Sequence, residues 1–315
     1  MSNSTLVRKS VKTMLNDIAD ITKPASLFHG DTFELLKNIP DNSIDLIITS
    51  PPYCIGKEYE NDTDTESFIE NHKKILPEII RIAKDGANIC WQVGFHVKNG
   101  AITPLDFLIH EILGKDKRLF LRNRIVWTFG HGLHCSTRFS GRYEVIMWYT
   151  KGSDYTFNLD SVRVPQQYPG KRFTKGPKKG ELSGNPKGKN PSDVWEIPNV
   201  KANHIEKTDH PCQFPVAIAQ RLIKALSNEG DLVLDPYAGV SSTGIAAIVE
   251  NRKFIGAEID ATYVELSKKR LTDALRGDSK FRPHTQEIYK PKETDKVAIK
   301  PEHFWKEISE LAMQA

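Results

Sequence analysis

Two short stretches of the sequence carry groups that can do chemistry. The first is Thr49-Ser50-Pro51-Pro52-Tyr53. Pro51 steers Ser50 away from helical backbone, and neither proline has an N–H. The turn therefore offers a hydroxyl, a carbonyl without a ladder partner and an aromatic ring. Two acceptors and one stacking face suit a planar ring that bears an amino group. A proline-rich loop that only caps a strand remains the competing explanation at this point. The second stretch is Asp235-Pro236-Tyr237-Ala238-Gly239-Val240-Ser241-Ser242-Thr243-Gly244, followed by Glu258 fifteen residues after Thr243. Small residues let backbone approach a ligand at a helix N-terminus, and a carboxylate at the next strand tip can accept both hydroxyl hydrogens of a ribose. The stretch has neither the pattern of a nucleoside triphosphatase loop nor that of a dinucleotide loop. Asp31 follows Gly30 and is either a ligand-facing acid beside Ser50 or a helix N-cap, and the two roles are compatible. Cys54 has no adjacent base to make it a nucleophile.

The surrounding pattern places both stretches at strand ends. Residues 43–48 form a short apolar, β-branched run that reads as a buried parallel strand entering the Pro-Pro turn. Residues 231–234 do the same for the second stretch, and 245–249 continue it as a helix. Further strands are expected at 25–31, 87–93, 122–128, 143–150 and 254–260. Helices are expected at 32–37, 67–83 (with Pro77 a restart or kink), 105–113, 216–226 and 263–275. A short helix or arm is expected around 11–18, an irregular loop at 56–65 and a docking helix at 301–312. Alternating strands and helices predict a mostly parallel sheet covered on both faces.

Residues 151–200 break this rhythm. Between Arg163 and Lys189 the basic residues include Lys171, Arg172, Lys175, Lys178 and Lys179, and the only acid is Glu181. Tyr168, Phe173 and Trp195 are interleaved. Such a stretch has too little apolar surface for a core of its own and is expected to order on a polyanion; a solvated loop is the bland alternative. Gln166, Gln167, Asn185 and Asn190 are candidate base readers among which nothing selects. The formal charge of the 315-residue chain is +4, which permits nucleic acid as a partner without proving it. Hydrophobic content of 39% and charged content of 27% fit a globular protein. No run approaches the ~18 apolar residues of a spanning helix. The four cysteines are scattered and form no C-x-x-C pair, which argues against a zinc site and for reduced thiols in a cytoplasm.

Together, Ser50-Pro51-Pro52-Tyr53 and Asp235-Pro236-Tyr237-Ala238-Gly239 resemble the motifs of the amino-methylating DNA methyltransferases that use S-adenosylmethionine. That family carries (Ser/Asp/Asn)-Pro-Pro-(Tyr/Phe/Trp) and a pattern close to Asp-Pro-Phe-x-Gly-x-Gly-Thr-Thr. The order here is catalytic motif, basic region, cofactor motif, which is similar to the permuted β group, as is His210-Pro211-Cys212-Gln213-Phe214-Pro215. The resemblance covers roughly residues 25–275. Tyr237 and Ser241 depart from it, standing where Phe and a second Gly are usual. If that second position needs positive φ, Ser241 is strained there.

The resemblance implies an α/β, doubly wound, mostly parallel sheet of the Rossmann-like class I methyltransferase type, with a basic, loop-rich target-recognition insertion. It implies an N-terminal arm (1–24), a catalytic half (25–150), a target-recognition region (151–205), a cofactor half (206–275) and a tail (276–315). Ser50 Oγ and the Pro51 carbonyl accept the two amino hydrogens of a base flipped out of duplex DNA, Pro52 shapes the turn and Tyr53 stacks on the base. Asp31 contacts the cofactor's adenine amino group, Glu258 holds the ribose, and His210 and Phe214 pack nearby. Asp235, Pro236, Tyr237, Gly239, Ser241, Ser242 and Thr243 face the methionine portion. Lys171, Arg172, Lys175, Lys178 and Lys179 meet phosphates. Neither a metal nor a covalent cysteine is required. Ser at the first motif position goes mostly with cytosine N4, Asp with adenine N6. Double-stranded DNA, a cognate restriction endonuclease and a second copy of the chain are the implied partners, in a prokaryotic cytoplasm at the nucleoid, with no membrane. Methyltransferases of glutamine amides or RNA bases usually place the cofactor motif first. A non-enzymatic DNA-binding module would need neither Ser50 nor Glu258.

Overall fold

The computed structural model describes residues 20–53, 64–130, 132, 134–296 and 298–299. The expected helices at 11–18 and 301–312, Cys54 and most of the loop at 56–65 lie outside these residues. The chain divides into a large unit that ends at His284 and a short C-terminal unit that begins at Thr285. In the latter, Asp295 accepts from the Tyr289 hydroxyl and the Lys292 amide.

The large unit is built on an eight-stranded sheet. Its strands are β1 (Ala25–His29), β2 (Ile44–Thr49), β3 (Ala83–Val93), β6 (Leu119–Thr128), β7 (Tyr143–Lys151), β8 (Val194–Glu196), β9 (Leu232–Asp235) and β10 (Lys253–Glu258). The spatial order is β1-β10-β9-β2-β3-β7-β6-β8. Every neighbouring pair is parallel except the two that β7 makes, with β3 and β6. A separate hairpin pairs β4 (Phe95–Lys98) with β5 (Ala101–Pro104). Among the described residues the helices are α1 (Thr32–Asn38), α2 (Thr65–Ile82), α3 (Leu105–Leu113), α4 (Val216–Leu226), α5 (Ser242–Val249) and α6 (Ala261–Leu275).

Alternate strand residues supply two cores. Leu46, Ile48 and Trp148 pack with α4, α5 and α6, whereas Ile47, Trp91 and Tyr149 pack with α1, α2 and α3. Runs that are apolar on both sides are what a sheet buried on both faces demands. Pro77 sits inside α2 without ending it.

Three features differ from the sequence expectation. Strand order puts β10 and β9 between β1 and β2, so Asp31 lies beside Glu258 and not beside Ser50; Gly30 N donates to the Glu258 carbonyl at 3.0 Å. Trp195, expected on the basic excursion, belongs to the core: β8 joins the sheet edge, and the Trp195 ring is 7% exposed. The β4–β5 hairpin was not anticipated, although its Asn99-Gly100 turn, with φ of 52° and 79°, is a strong hairpin signal.

Candidate active site

A cavity of about 780 Å³ runs along the carboxyl edge of the sheet. The ends of β1, β10, β9, β2 and β3 supply Asp31, Glu258, Asp235, Ser50 and Gly94. Because β7 runs the other way, its amino end delivers Glu144 to the same edge, through the Val93–Val145 pair. Asp31, Glu144, Asp235, Glu258 and Asp260 line this cavity, and among the described residues neither Lys nor Arg lines it. In a chain of net positive charge, that lining selects a cationic or hydroxyl-rich ligand.

At one end stands the Asp235 turn. The Asp235 carboxyl is 5% exposed and accepts from Thr49 Oγ1 at 2.7 Å and from the Tyr237 amide at 3.2 Å. Burial pushes its pKa up to about 6, against the hydrogen bonds of Thr49, Thr243 and Tyr237. Gly239 has φ of 53°, and a Cβ there would lie 3.3 Å from His210 Nε2. Helix α6 holds the loop from behind: Ser267 Oγ donates to the Gly239 carbonyl at 2.7 Å and Arg270 Nη1 to the Val240 carbonyl. Ser241 does occupy the left-handed region, at φ 56° and ψ 43°, as the residue before α5. Its Oγ is buried with no hydrogen-bond partner among the described residues. The conformation costs about 1–2 kcal/mol that a glycine would not incur. Pro236 and Ser241 do not line the cavity; Tyr237, Gly239, Ser242 and Thr243 do. The Pro236 carbonyl instead accepts from Thr32 Oγ1, which ties the loop to α1.

Glu258 accepts from the Asp260 amide at 2.8 Å, and burial raises its pKa. Asp31 caps α1 through the Phe33 amide at 2.9 Å and also lines the cavity, beside Glu258 rather than Ser50. The His210 ring stands 4.5 Å from the Tyr263 ring, and its Nδ1 accepts from the Cys212 amide. Burial, then Lys207 and Arg270, lower its pKa to about 4, so it is neutral at physiological pH. Phe214 lines the cavity and meets Trp127 edge-on at 6.3 Å.

At the other end is the Pro-Pro turn. Ser50, Pro51, Pro52 and Tyr53 all line the cavity. The Tyr53 hydroxyl accepts from Gln92 Nε2 at 2.8 Å and donates to Glu144 Oε2 at 3.3 Å. A Cβ at Gly94 would lie 3.2 Å from Tyr53 Cε2, so the glycine lets the ring close against the end of β3.

Comparison with known proteins gives the arrangement a family. Residues 44–269 match the N6/N4 DNA methylase family. The Type II methyltransferase M.BglII of Bacillus subtilis is 46% identical over 245 residues, covering 76% of this chain and 67% of that protein. The DNA adenine methyltransferase YhdJ of Escherichia coli (strain K12) is 33% identical over 78% of this chain and 82% of its own. Among solved structures, a DNA modification methylase of Thermus thermophilus complexed with S-adenosyl-L-methionine is 25% identical, with a TM-score of 0.57 over 80% of this chain and 96% of that one. The cytosine-N4-specific PvuII DNA methyltransferase shares the fold, with a TM-score of 0.62 at 20% identity over 80% of this chain and 91% of that one.

The chain belongs to the N6/N4 DNA methylase family. It is an S-adenosylmethionine-dependent DNA methyltransferase. The cavity's chemistry fits that cofactor: its described lining carries five carboxylates, which suit a ligand bearing an ammonium, a sulfonium and hydroxyls. Tyr263, Ser267, Arg270, Gln92 and Glu144 were missed in the sequence. The last two were readable as polar residues at the ends of otherwise apolar strands.

The basic excursion of this methyltransferase is an irregular two-stranded ribbon. Val164 bridges Lys189, and Arg172 bridges Leu182. Arg163 and Lys187 are both paired with Asp160. Lys171, Arg172, Lys175, Lys178 and Lys179 are exposed and pair with no acid among the described residues. The ribbon does not bring them into the cavity.

The buried Asp235 charge sets a stability cost. Its folded pKa of about 6 lies above the unfolded value, so the cost is full above pH 6 and is relieved as pH falls toward 4. Asp235→Asn is expected to stabilise the cofactor-free protein by about 2 kcal/mol at pH 8 and to make no difference near pH 4. Denaturant unfolding at the two pH values checks this. The same variant should bind S-adenosylmethionine more weakly in equilibrium dialysis.

Proposed function

We propose that this methyltransferase modifies N4 of cytosine in duplex DNA, at the turn Ser50–Tyr53. The observation that carries this is the placement of Ser50, Pro51 and Tyr53 on the same cavity as Asp235 and Glu258. An exocyclic amine is a poor nucleophile because its lone pair is delocalised into the ring. It is also paired and stacked in duplex DNA, so the base must leave the helix. The Ser50 hydroxyl and the Pro51 carbonyl accept the two amino hydrogens, which favours pyramidal nitrogen and frees the lone pair. Tyr53 presents a face to the ring. S-adenosylmethionine, when bound, supplies an electrophilic methyl carbon. Asp235 and the loop through Thr243 hold its methionine end, Glu258 its ribose and Asp31 its adenine amino group. His210, Phe214 and Tyr263 flank that end. Positioning and fixed dipoles carry the rate, with no covalent enzyme intermediate.

Ser at the first motif position supports cytosine. The adenine reading is favoured by the 33% identity to a DNA adenine methyltransferase, and a neutral hydroxyl can serve either amine. The exposed ribbon is proposed as the phosphate-contacting surface, which positions the duplex but does not specify sequence. The Type II names among the relatives support a restriction-modification setting with a cognate endonuclease. No helix among the described residues is long and apolar enough to cross a membrane.

Mass-spectrometric nucleoside analysis of DNA from cells expressing the chain tests the proposal, with Ser50→Ala as control. N4-methylcytosine in the first sample, lost in the second, is the expected outcome. N6-methyladenine would transfer the mechanism to adenine, and undiminished modification by Ser50→Ala would remove Ser50 from the reaction. Neutralising Lys171, Arg172, Lys178 and Lys179 is expected to weaken DNA binding and to flatten its salt dependence by about one unit of log–log slope per lost phosphate contact. Binding measured from 50 to 200 mM salt, on the order of the range where such contacts report, checks this. An unchanged slope moves the DNA surface elsewhere.

A further inference from the structure

Four side chains at the Pro-Pro turn form a hydrogen-bonded chain that leads away from the place where the amine reacts. Tyr53 Oη lies 3.5 Å from Ser50 Oγ, 2.8 Å from Gln92 Nε2 and 3.3 Å from Glu144 Oε2. Gln92 Nε2 donates to Glu144 Oε2 as well. With Glu144 ionised, the proton inventory gives these bonds a direction. An ionised carboxylate can only accept, so both the phenol and the amide nitrogen donate to it. The phenol has one proton, and that proton is spent on Glu144. The amide nitrogen can only donate, so Tyr53 Oη accepts from Gln92. Toward Tyr53, Ser50 is then left with the donor role. Its hydroxyl hydrogen points along the chain, and its oxygen lone pairs are left to accept from an amino group.

We propose that Glu144, acting through Tyr53, is the anion that makes the neutral Ser50 hydroxyl an effective acceptor and that takes up the proton released by the methylated amine. This rests on the assignment of Ser50 to the amino group. In the reaction the amine nitrogen forms the N–CH3 bond with its lone pair, while the S–CH3 bond breaks and its electron pair stays on sulfur. The nitrogen is left with a positive charge and one surplus proton. That proton passes to Ser50 Oγ as the serine proton passes to Tyr53 Oη and the phenol proton to Glu144 Oε2. The base ends as a neutral methylamine, the two hydroxyls are regenerated, and Glu144 ends as a carboxylic acid at the cavity wall. Hydrogen bonds in series polarise one another at low dielectric, so the carboxylate is felt at Ser50 before any proton has moved. A serine alone offers the amine only a dipole; backed by Glu144 it offers part of a charge. Gln92, 2% exposed, holds Tyr53 and Glu144 together as a positioning residue.

Single-turnover methyl transfer at saturating cofactor and DNA tests this, in Tyr53→Phe, Glu144→Gln, Glu144→Asp and the Tyr53→Phe/Glu144→Gln double variant. Tyr53→Phe keeps the stacking ring and removes only the relay hydroxyl. Each of the first two is expected to slow transfer by about 100-fold, as loss of an acid–base group does. Glu144→Asp should recover part of the rate, and the double variant should be no slower than the slower single, because both break one chain. Because transfer is measured at saturating cofactor and DNA, weaker binding does not contribute to these losses. A readout independent of turnover is the 13Cζ resonance of Tyr53, assigned by its loss in Tyr53→Phe, which Glu144→Gln should shift. Losses that multiply in the double variant, full-rate transfer by Glu144→Gln, or an unmoved Tyr53 resonance overturn the relay. Ser50→Ala separates the two claims: inactive with its cofactor affinity kept, it upholds the Ser50 assignment whatever the relay variants do, and at full rate it sinks that assignment.

Discussion

The Thr49 hydroxyl and the Asp235 carboxylate, 2.7 Å apart and separated by 186 residues of sequence, join the two halves of this active site. Strands β2 and β9 pair over Leu46–Val233 and Ile47–Leu234 only. The ladder stops there, and the cavity lies at the strand ends beyond it. The Thr49–Asp235 bond spans the crevice where the ladder stops. It sets the Pro-Pro turn against the Asp235 turn, so both line one cavity. The cost is a carboxylate buried in the sheet edge, which burial pushes up to about 6. A site that binds a cation tolerates such a cost because the ligand completes the charge pair.

Charge is partitioned between the cavity and the ribbon. The cavity wall carries Asp31, Glu144, Asp235, Glu258 and Asp260. Lys171, Arg172, Lys175, Lys178 and Lys179 stand exposed on the ribbon, outside the cavity. A uniformly basic face would bind phosphate at the methyl-transfer site itself, and a uniformly acidic one would repel DNA. On the proposed reading, separating the two signs lets duplex bind by its backbone while the base enters the acidic space. The relay from Ser50 to Glu144 uses the same wall: a carboxylate that helps to define the cavity's sign also stands at the end of the proton path.

Much of this was legible before the structure. Each reactive stretch sat at the end of an apolar, β-branched run, and strand ends are where open α/β sheets bind ligands. What stayed hidden depended on contacts distant in sequence. The pairing of β1 with β10 is set by packing, so Asp31 could not be placed beside Glu258 from local pattern. Trp195 stands in a stretch that is basic and poor in apolar residues, yet a single edge strand of three residues carries it into the core. Gln92 and Glu144 lie on neighbouring antiparallel strands whose register brings them together, and register is not a local property. The Asn99-Gly100 turn is the opposite case, a local signal that was present and passed over. Ser241 was legible in both respects, since a side chain where glycine is usual pointed to the strained backbone that the structure contains.

The central claim is that one cavity holds two subsites, with Glu258 serving the cofactor and Ser50 serving the base. Calorimetric titration of S-adenosylmethionine into the parent chain, Glu258→Ala and Ser50→Ala measures this division directly. The account expects Glu258→Ala to lose about 10- to 100-fold in affinity, the size of charge-assisted hydrogen bonds to a diol, and Ser50→Ala to bind as the parent does. Equal loss in both variants, or loss in Ser50→Ala alone, would contradict it.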